Sequence, residues 1–281
     1  MSRLRLIAGL LVTAALLAVA ASALAGSAVA ARAHAAGPGN VSATLRISGH
    51  GMQKRFRLKV TLDGVTKVDE IVRSAACPPG CIAVGLGKSK APLRVVALRD
   101  GGVPDVVIGL YSGGAHCCFV DQVYRLNPKT NNFVKIEHDF ADSGAQILDL
   151  NGDHSYEFLS SDARISNAGF TDFADSPAPL QILSVQNNRF RDITRNYPAR
   201  LKADAAMWLR SFHRNYGNGR GLMAAWAADE ELLGHPGLVK SQLAGALKAG
   251  HLRVPANFGG PSPAKFVAQL QALLHRLGYT R

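Results

Sequence analysis

Asp149, Asn151, Asp153, Ser155 and Glu157 stand at alternate positions of one short stretch, and oxygen-bearing side chains spaced in this way around a tight loop are the donor set of a hard cation. Calcium takes about six to eight oxygens at roughly 2.3 to 2.6 Å, and a loop with acids or amides at its alternate positions supplies most of them. Three departures separate the stretch from an EF-hand. His154 occupies the place where a glycine with positive φ usually makes the turn, and Ser160 stands where the bidentate glutamate would be. The flanks, Ala145 to Leu148 and Phe158 to Ser160, read as short strands rather than amphipathic helices. The expectation is therefore a strand-loop-strand calcium site with Glu157 as the last acidic ligand. The alternative is an ordinary Asp/Asn/Gly hairpin turn.

Other side chains carry chemistry with less support from their neighbours. His116 follows the Gly113-Gly114 pair and has the reach of a general base; Asp162, Asp172 and Asp175 crowd one loop, where two carboxyls can work as acid and base. Neither group has a partner at a recognised spacing: G-x-S-x-G, H-E-x-x-H and a nucleotide loop are all missing from the sequence. His116 is expected to be structural, and the acidic loop to be a surface turn or an extra cation contact. Cys77 and Cys81 bracket a Pro-Pro-Gly turn, and Cys117 and Cys118 are adjacent. The favoured pairing is Cys77 with Cys81 and Cys117 with Cys118; cross-pairing between the segments remains open, and zinc held by the four thiols and His116 is disfavoured in an oxidising compartment.

That compartment is suggested by the first residues. Arg3 and Arg5 precede an apolar run from Leu6 to Ala25, followed by small-residue cleavage options at Ala23-Leu24-Ala25, Ala28-Val29-Ala30 and Ala33-His34-Ala35. A secretory leader over 1–35 is expected, with an uncleaved anchor as the alternative and no later apolar run long enough to span a bilayer. The mature chain is expected outside the cytoplasm, in or beyond the bacterial envelope.

The loop needs elements to hold it, and the chain compared with itself supplies them. Leu93 to Val107 aligns with Ala145 to Leu159 without a gap, and Gln122 to Leu126 with Phe133 to Ile136 answers Gln181 to Val185 with Phe190 to Ile193. Each copy reads as four antiparallel strands. Ala97, Arg99 and Gly101 stand where the second copy has Asp149, Asn151 and Asp153, so one metal loop is expected. Ala43 to Ser48, Arg55 to Leu62 and Val65 to Val72 add a third, irregular sheet, still short of the four blades that close a propeller.

These repeats resemble the FG-GAP/VCBS type of calcium-loop repeat, on Asp149 to Glu157 and the degenerate Arg99 to Asp105. Tyr111 to Cys118, the Asp149 loop and Phe170 to Ser176 are similar to an uncharacterised family of secreted bacterial proteins with a Gly-Gly-Ala-His-Cys-Cys motif. The resemblance implies blade-like β units and calcium binding, and it brings no activity with it.

Beyond Pro198 the apolar period lengthens toward 3.6, with helical patterns at Ala199 to Tyr216, Gly221 to Leu233, Pro236 to Ala249 and Ser262 to Leu277. Met207, Trp208, Phe212, Met223 and Trp226 form an apolar stripe expected to be core. The reading is thus an α+β chain: leader 1–35, β repeats 36–195, helical subdomain 196–281. A net charge of +12, with Arg200, Lys202, Arg210, Arg214 and Arg220 in one stretch, suits an anionic envelope polymer, with another protein as the other partner considered. Nucleic acid is disfavoured because aromatics do not interleave the basic residues. The function expected is a secreted, calcium-stabilised binding or structural module; an extracellular hydrolase of wall polymer or glycan is the alternative.

Overall fold

Arg55-Phe56-Arg57-Leu58-Lys59-Val60 alternates charge with hydrophobe, and a strand with one buried face reconciles the two. In the computed structural model, which describes residues 27–49, 54–77, 80–86, 91–114, 117–216, 219–254 and 259–280, this is what the segment forms. Phe56, Leu58 and Val60 are buried and the basic residues between them are exposed.

Three antiparallel sheets follow from such patterns. The first runs β1 (Ala28–Ala35), β2 (Val41–Ser48), β3 (Arg55–Leu62), β4 (Val65–Ile71) in chain order. The second contains β5 (Ile82–Ala83), β6 (Leu93–Val96), β7 (Asp105–Gly114), β8 (Cys117–Asn127) and β9 (Asn132–Asp139); β5 and β6 pair in tandem with β7, followed by β8 and β9. The third runs β10 (Gln146–Leu148), β11 (Glu157–Ser161), β12 (Leu180–Gln186), β13 (Arg189–Asp192), again in chain order. The two aligned stretches thus become β6, turn, β7 and β10, loop, β11. The N-terminal sheet has one strand more than expected. Ala28–Ala35, the tail of the stretch read as leader, pairs along its length with β2, so Ala23-Leu24-Ala25 is the cleavage option that precedes the sheet. Residues 1–26 lie outside the described residues.

The second sheet lies between the other two, and this explains the unbroken apolar run of β7. Val106, Ile108 and Leu110 join Val41, Leu45 and Leu58 of the first sheet in one core. Val107 and Val123 point the other way and join Phe158, Leu183 and Val185 of the third. Arg125 also faces the third sheet. Its guanidinium grips Asp105 at 2.7 and 2.9 Å and donates to the Val185 carbonyl at 2.7 Å, a buried charged clamp between sheets.

The helices are α1 (Ala163–Ser166), α2 (Pro198–Arg214), α3 (Gly219–Leu232), α4 (Pro236–Lys248) and α5 (Pro263–Arg276). Ser262 caps α5 through its Oγ, which accepts from the Lys265 N–H at 3.3 Å, and Pro263 opens it, as the Ser-Pro pair indicates. Phe212, Met223 and Trp226 form the helical core with Phe170, Phe266 and Leu270. Met207 departs from the expected stripe: it is exposed, because the helix turns that residue away from α3. Arg220 departs from the expected basic face. It is buried, donating from Nε to the Leu252 carbonyl at 2.8 Å and stacking its guanidinium over the Phe266 ring. Among the described residues, no helix is long and apolar enough to cross a membrane.

Candidate functional site

Pairing of Leu148 with Glu157 closes β10 and β11 around the oxygen-rich loop. The loop is held by its own side chains. Asp149 accepts the N–H groups of Gly152 through Oδ1 at 2.7 Å and of His154 through Oδ2 at 3.1 Å. Asn151 Oδ1 accepts from the Asp153 N–H at 3.2 Å, Asp153 Oδ1 from the Ser155 N–H at 2.8 Å, and Asn151 Nδ2 donates to Asp153 Oδ2 at 2.8 Å. Glu157, buried at the far end, accepts the Leu150 N–H through Oε2 at 3.0 Å. These bonds let Gly152 (φ 78°) and His154 (φ 65°) take left-handed conformations. The Ser155 N–H, with help from Asn151, holds the Asp153 carboxyl below the usual carboxylate range. Burial pushes Glu157 the other way, against the pull of the Leu150 N–H.

Ser155 has a different engagement. Its Oγ accepts the Asp100 N–H at 3.0 Å, and the Tyr156 N–H donates to the Ala97 carbonyl at 3.1 Å. The acid-poor turn between β6 and β7 is therefore bonded directly to the acid-rich loop. Asp149, Asp153 and Glu157 face backbone N–H groups rather than one another. Among the described residues, they do not form a cluster with ligand atoms all within 4.8 Å of each other. The donor set is nonetheless all oxygen, three carboxylates and an amide on one loop, and its chemistry fits calcium.

Cys77 bonds Cys81 across a Cα separation of 5.2 Å, and Cys117 bonds Cys118. The sulfurs of Cys117 and Cys118 lie close to the Asp139 carboxylate, but a disulfide offers no thiolate to a metal. His116 lies outside the described residues. Of the three carboxyls considered as an acid and base, Asp172 and Asp175 do meet, and burial together with the Asp172 carboxyl pushes Asp175 up, whereas Asp162 is engaged elsewhere. Asp162 is buried, bound by the Arg164 guanidinium and by the Tyr279 hydroxyl at 2.7 Å, while its Oδ1 caps α1 through the Arg164 N–H at 3.0 Å. Burial pushes this carboxyl up, but Arg164 and Tyr279 outweigh burial and hold it low. Asp172 also closes its own turn by accepting the Asp175 N–H at 2.9 Å.

One polar group was missed in the sequence. Asp121, on β8, is 5 % exposed, and its Oδ2 has no hydrogen-bond partner among the described residues. Burial pushes its carboxyl up to about 8. It lines a cavity of about 530 Å³ together with Leu86, Phe119, Ser143, Gln146 and Ser161. Gly109 stands opposite Asp121 on β7, where a Cβ would meet the Val84 carbonyl oxygen at 2.7 Å, so glycine allows the chain after β5 to close that wall. An acid inside the apolar run Phe119-Val120-Asp121 was the available signal. A second cavity of about 440 Å³ shares Ser143, Ser161 and Leu180 with the first and reaches Phe173, Met207 and Trp208 beside the helices.

The α+β arrangement places this chain in the class of sheet stacks with C-terminal helices. No protein-family model matches it. It is 31% identical over 120 residues to a probable thylakoid lumen protein of Synechocystis, a match covering 40% of this chain and 35% of that protein. It is 28% identical over 159 residues to an uncharacterized protein of Sinorhizobium fredii, covering 51% of this chain and 23% of that protein. The chain thus spans about a third of the first relative and about a quarter of the second.

Proposed function

We propose that the chain is an extracytoplasmic β-repeat module whose loop from Asp149 to Glu157 takes calcium, with a binding or structural role in the bacterial envelope. The observation carrying this reading is the set of oxygen donors from Asp149, Asn151, Asp153 and Glu157 on a single loop already bent through left-handed Gly152 and His154. Calcium supplies a positive centre for acids that otherwise repel one another. The FG-GAP/VCBS-like reading is supported by the same in-order ladder in β6 to β9 and in β10 to β13.

The compartment is supported by the leader-like first residues, by two disulfides, and by a relative named for a lumen. Arg200, Lys202, Arg210 and Arg214 are exposed along α2 and suit an anionic envelope polymer. Calorimetric titration of the purified chain with calcium tests the proposal. Saturable binding that disappears in Asp149→Ala/Asp153→Ala is expected; no heat, or unchanged binding in that variant, contradicts it.

A further inference from the structure

The cavity between the second and third sheets holds a carboxyl oxygen, Asp121 Oδ2, without a hydrogen-bond partner among the described residues. Asp121 shares a strand face with Val123 and Arg125, both directed at the third sheet. Arg125 is committed to Asp105 and to the Val185 carbonyl, so the cation nearest along that face is already engaged. Asp121 is the sole ionisable side chain among the described residues that line the cavity. A buried carboxyl in this position is completed by a ligand that brings hydrogen-bonding hydrogen or a positive charge.

The rest of the wall distinguishes between these two. Ser143, Gln146 and Ser161 offer neutral hydroxyl and amide groups, while Leu86, Leu159 and the Phe119 ring, stacked on Tyr111 at 4.7 Å, offer apolar faces. A pyranose has the same division, with hydroxyls at its edge and C–H groups on its face. A hydroxyl both donates and accepts, so it satisfies a carboxyl in either protonation state. A cation must approach a chain with a net charge of +12. The volume, about 530 Å³, lies within the range of small-molecule sites.

We propose that this cavity binds a neutral saccharide unit, with Asp121 as its central hydrogen-bonding residue. The inference names a ligand for the binding role proposed above, and it does not depend on calcium, because the cavity and the loop 149–157 share no residue.

Saturation-transfer NMR on the full chain, with maltose, cellobiose and N,N′-diacetylchitobiose as probes and butylamine as the cationic control, tests it. At least one disaccharide is expected to bind at about 10 mM, some tenfold above a millimolar Kd. Asp121→Asn, which keeps a neutral donor and acceptor, is expected to bind within a few-fold of wild type. Asp121→Leu, which removes a buried polar group and so keeps its melting temperature, is expected to lose affinity about tenfold or more. Asp149→Ala/Asp153→Ala is expected to retain sugar binding, which separates a failure of the calcium loop from a failure of the cavity. The proposal is overturned if no disaccharide binds, if Asp121→Leu binds like wild type, or if butylamine binds in their place and Asp121→Asn abolishes it.

Discussion

Asp149 Oδ2 accepts the backbone N–H of His154 at 3.1 Å, and His154 holds a left-handed φ of 65°. A side chain at the first position of the loop thus fixes the backbone at the sixth, where a residue with a Cβ pays a conformational cost. Bond and strain sit in the same turn that presents the oxygen donors.

His154→Gly removes that cost while leaving the N–H in place. The expected gain is about 0.5–1 kcal/mol, less than the full left-handed penalty because glycine is more flexible when unfolded. A denaturation midpoint above that of wild type, together with tighter calcium binding, is the expected outcome; a lower midpoint shows that the imidazole contributes more than the backbone.

The Asp105–Arg125 clamp predicts a large and asymmetric effect. Arg125→Met leaves a buried carboxylate unpaired and the Val185 carbonyl without its donor, for a loss of about 3–5 kcal/mol. Asp105→Leu/Arg125→Met removes both charges and is expected to recover most of it. Urea unfolding of the three proteins checks the ordering.

The alternation of β3 and the 3.6 period of α2 and α5 were legible because each of these elements buries one face and exposes the other, whereas α3 is buried on most sides among the other helices. Asp121 was not, because β8 is buried on both faces and its alternation does not reveal which side holds a cavity. Arg220 read as a member of a basic run; its burial depends on the Leu252 carbonyl, 32 residues away in sequence, which no local pattern records. Ala28–Ala35 is small-residue sequence that suits a leader's cleavage region and an edge strand equally well. The loop 149–157 was legible as a set of donors, whereas the use of Ser155 by the neighbouring turn was not.

Asp229 predicts a pH dependence. Burial, aided by Asp204 and Glu230, pushes its carboxyl up to about 10. Between the ordinary carboxyl range, about 4, and that value the folded state holds a proton that the unfolded state has released, so this group makes stability fall as pH rises. Asp229→Asn removes the dependence while keeping a donor toward Asp204. A melting temperature above wild type at pH 8, with the difference shrinking toward pH 4, is expected by calorimetry.

Tyr279 hydrogen-bonds through its hydroxyl to Asp162 at 2.7 Å and joins the chain end to the turn after β11. Tyr279→Phe is expected to cost about 1.5–3 kcal/mol, the range for a hydrogen bond to a charged group, in guanidinium unfolding.

Calcium-dependent melting tests the central claim most directly. At calcium near a hundredfold over Kd, linkage adds about 2.7 kcal/mol to the folded state, so the wild-type chain is expected to melt several degrees higher in calcium than in chelator. Asp149→Ala/Asp153→Ala is expected to melt at the same temperature in both. A wild-type chain indifferent to calcium, or a variant that keeps the full shift, contradicts the account.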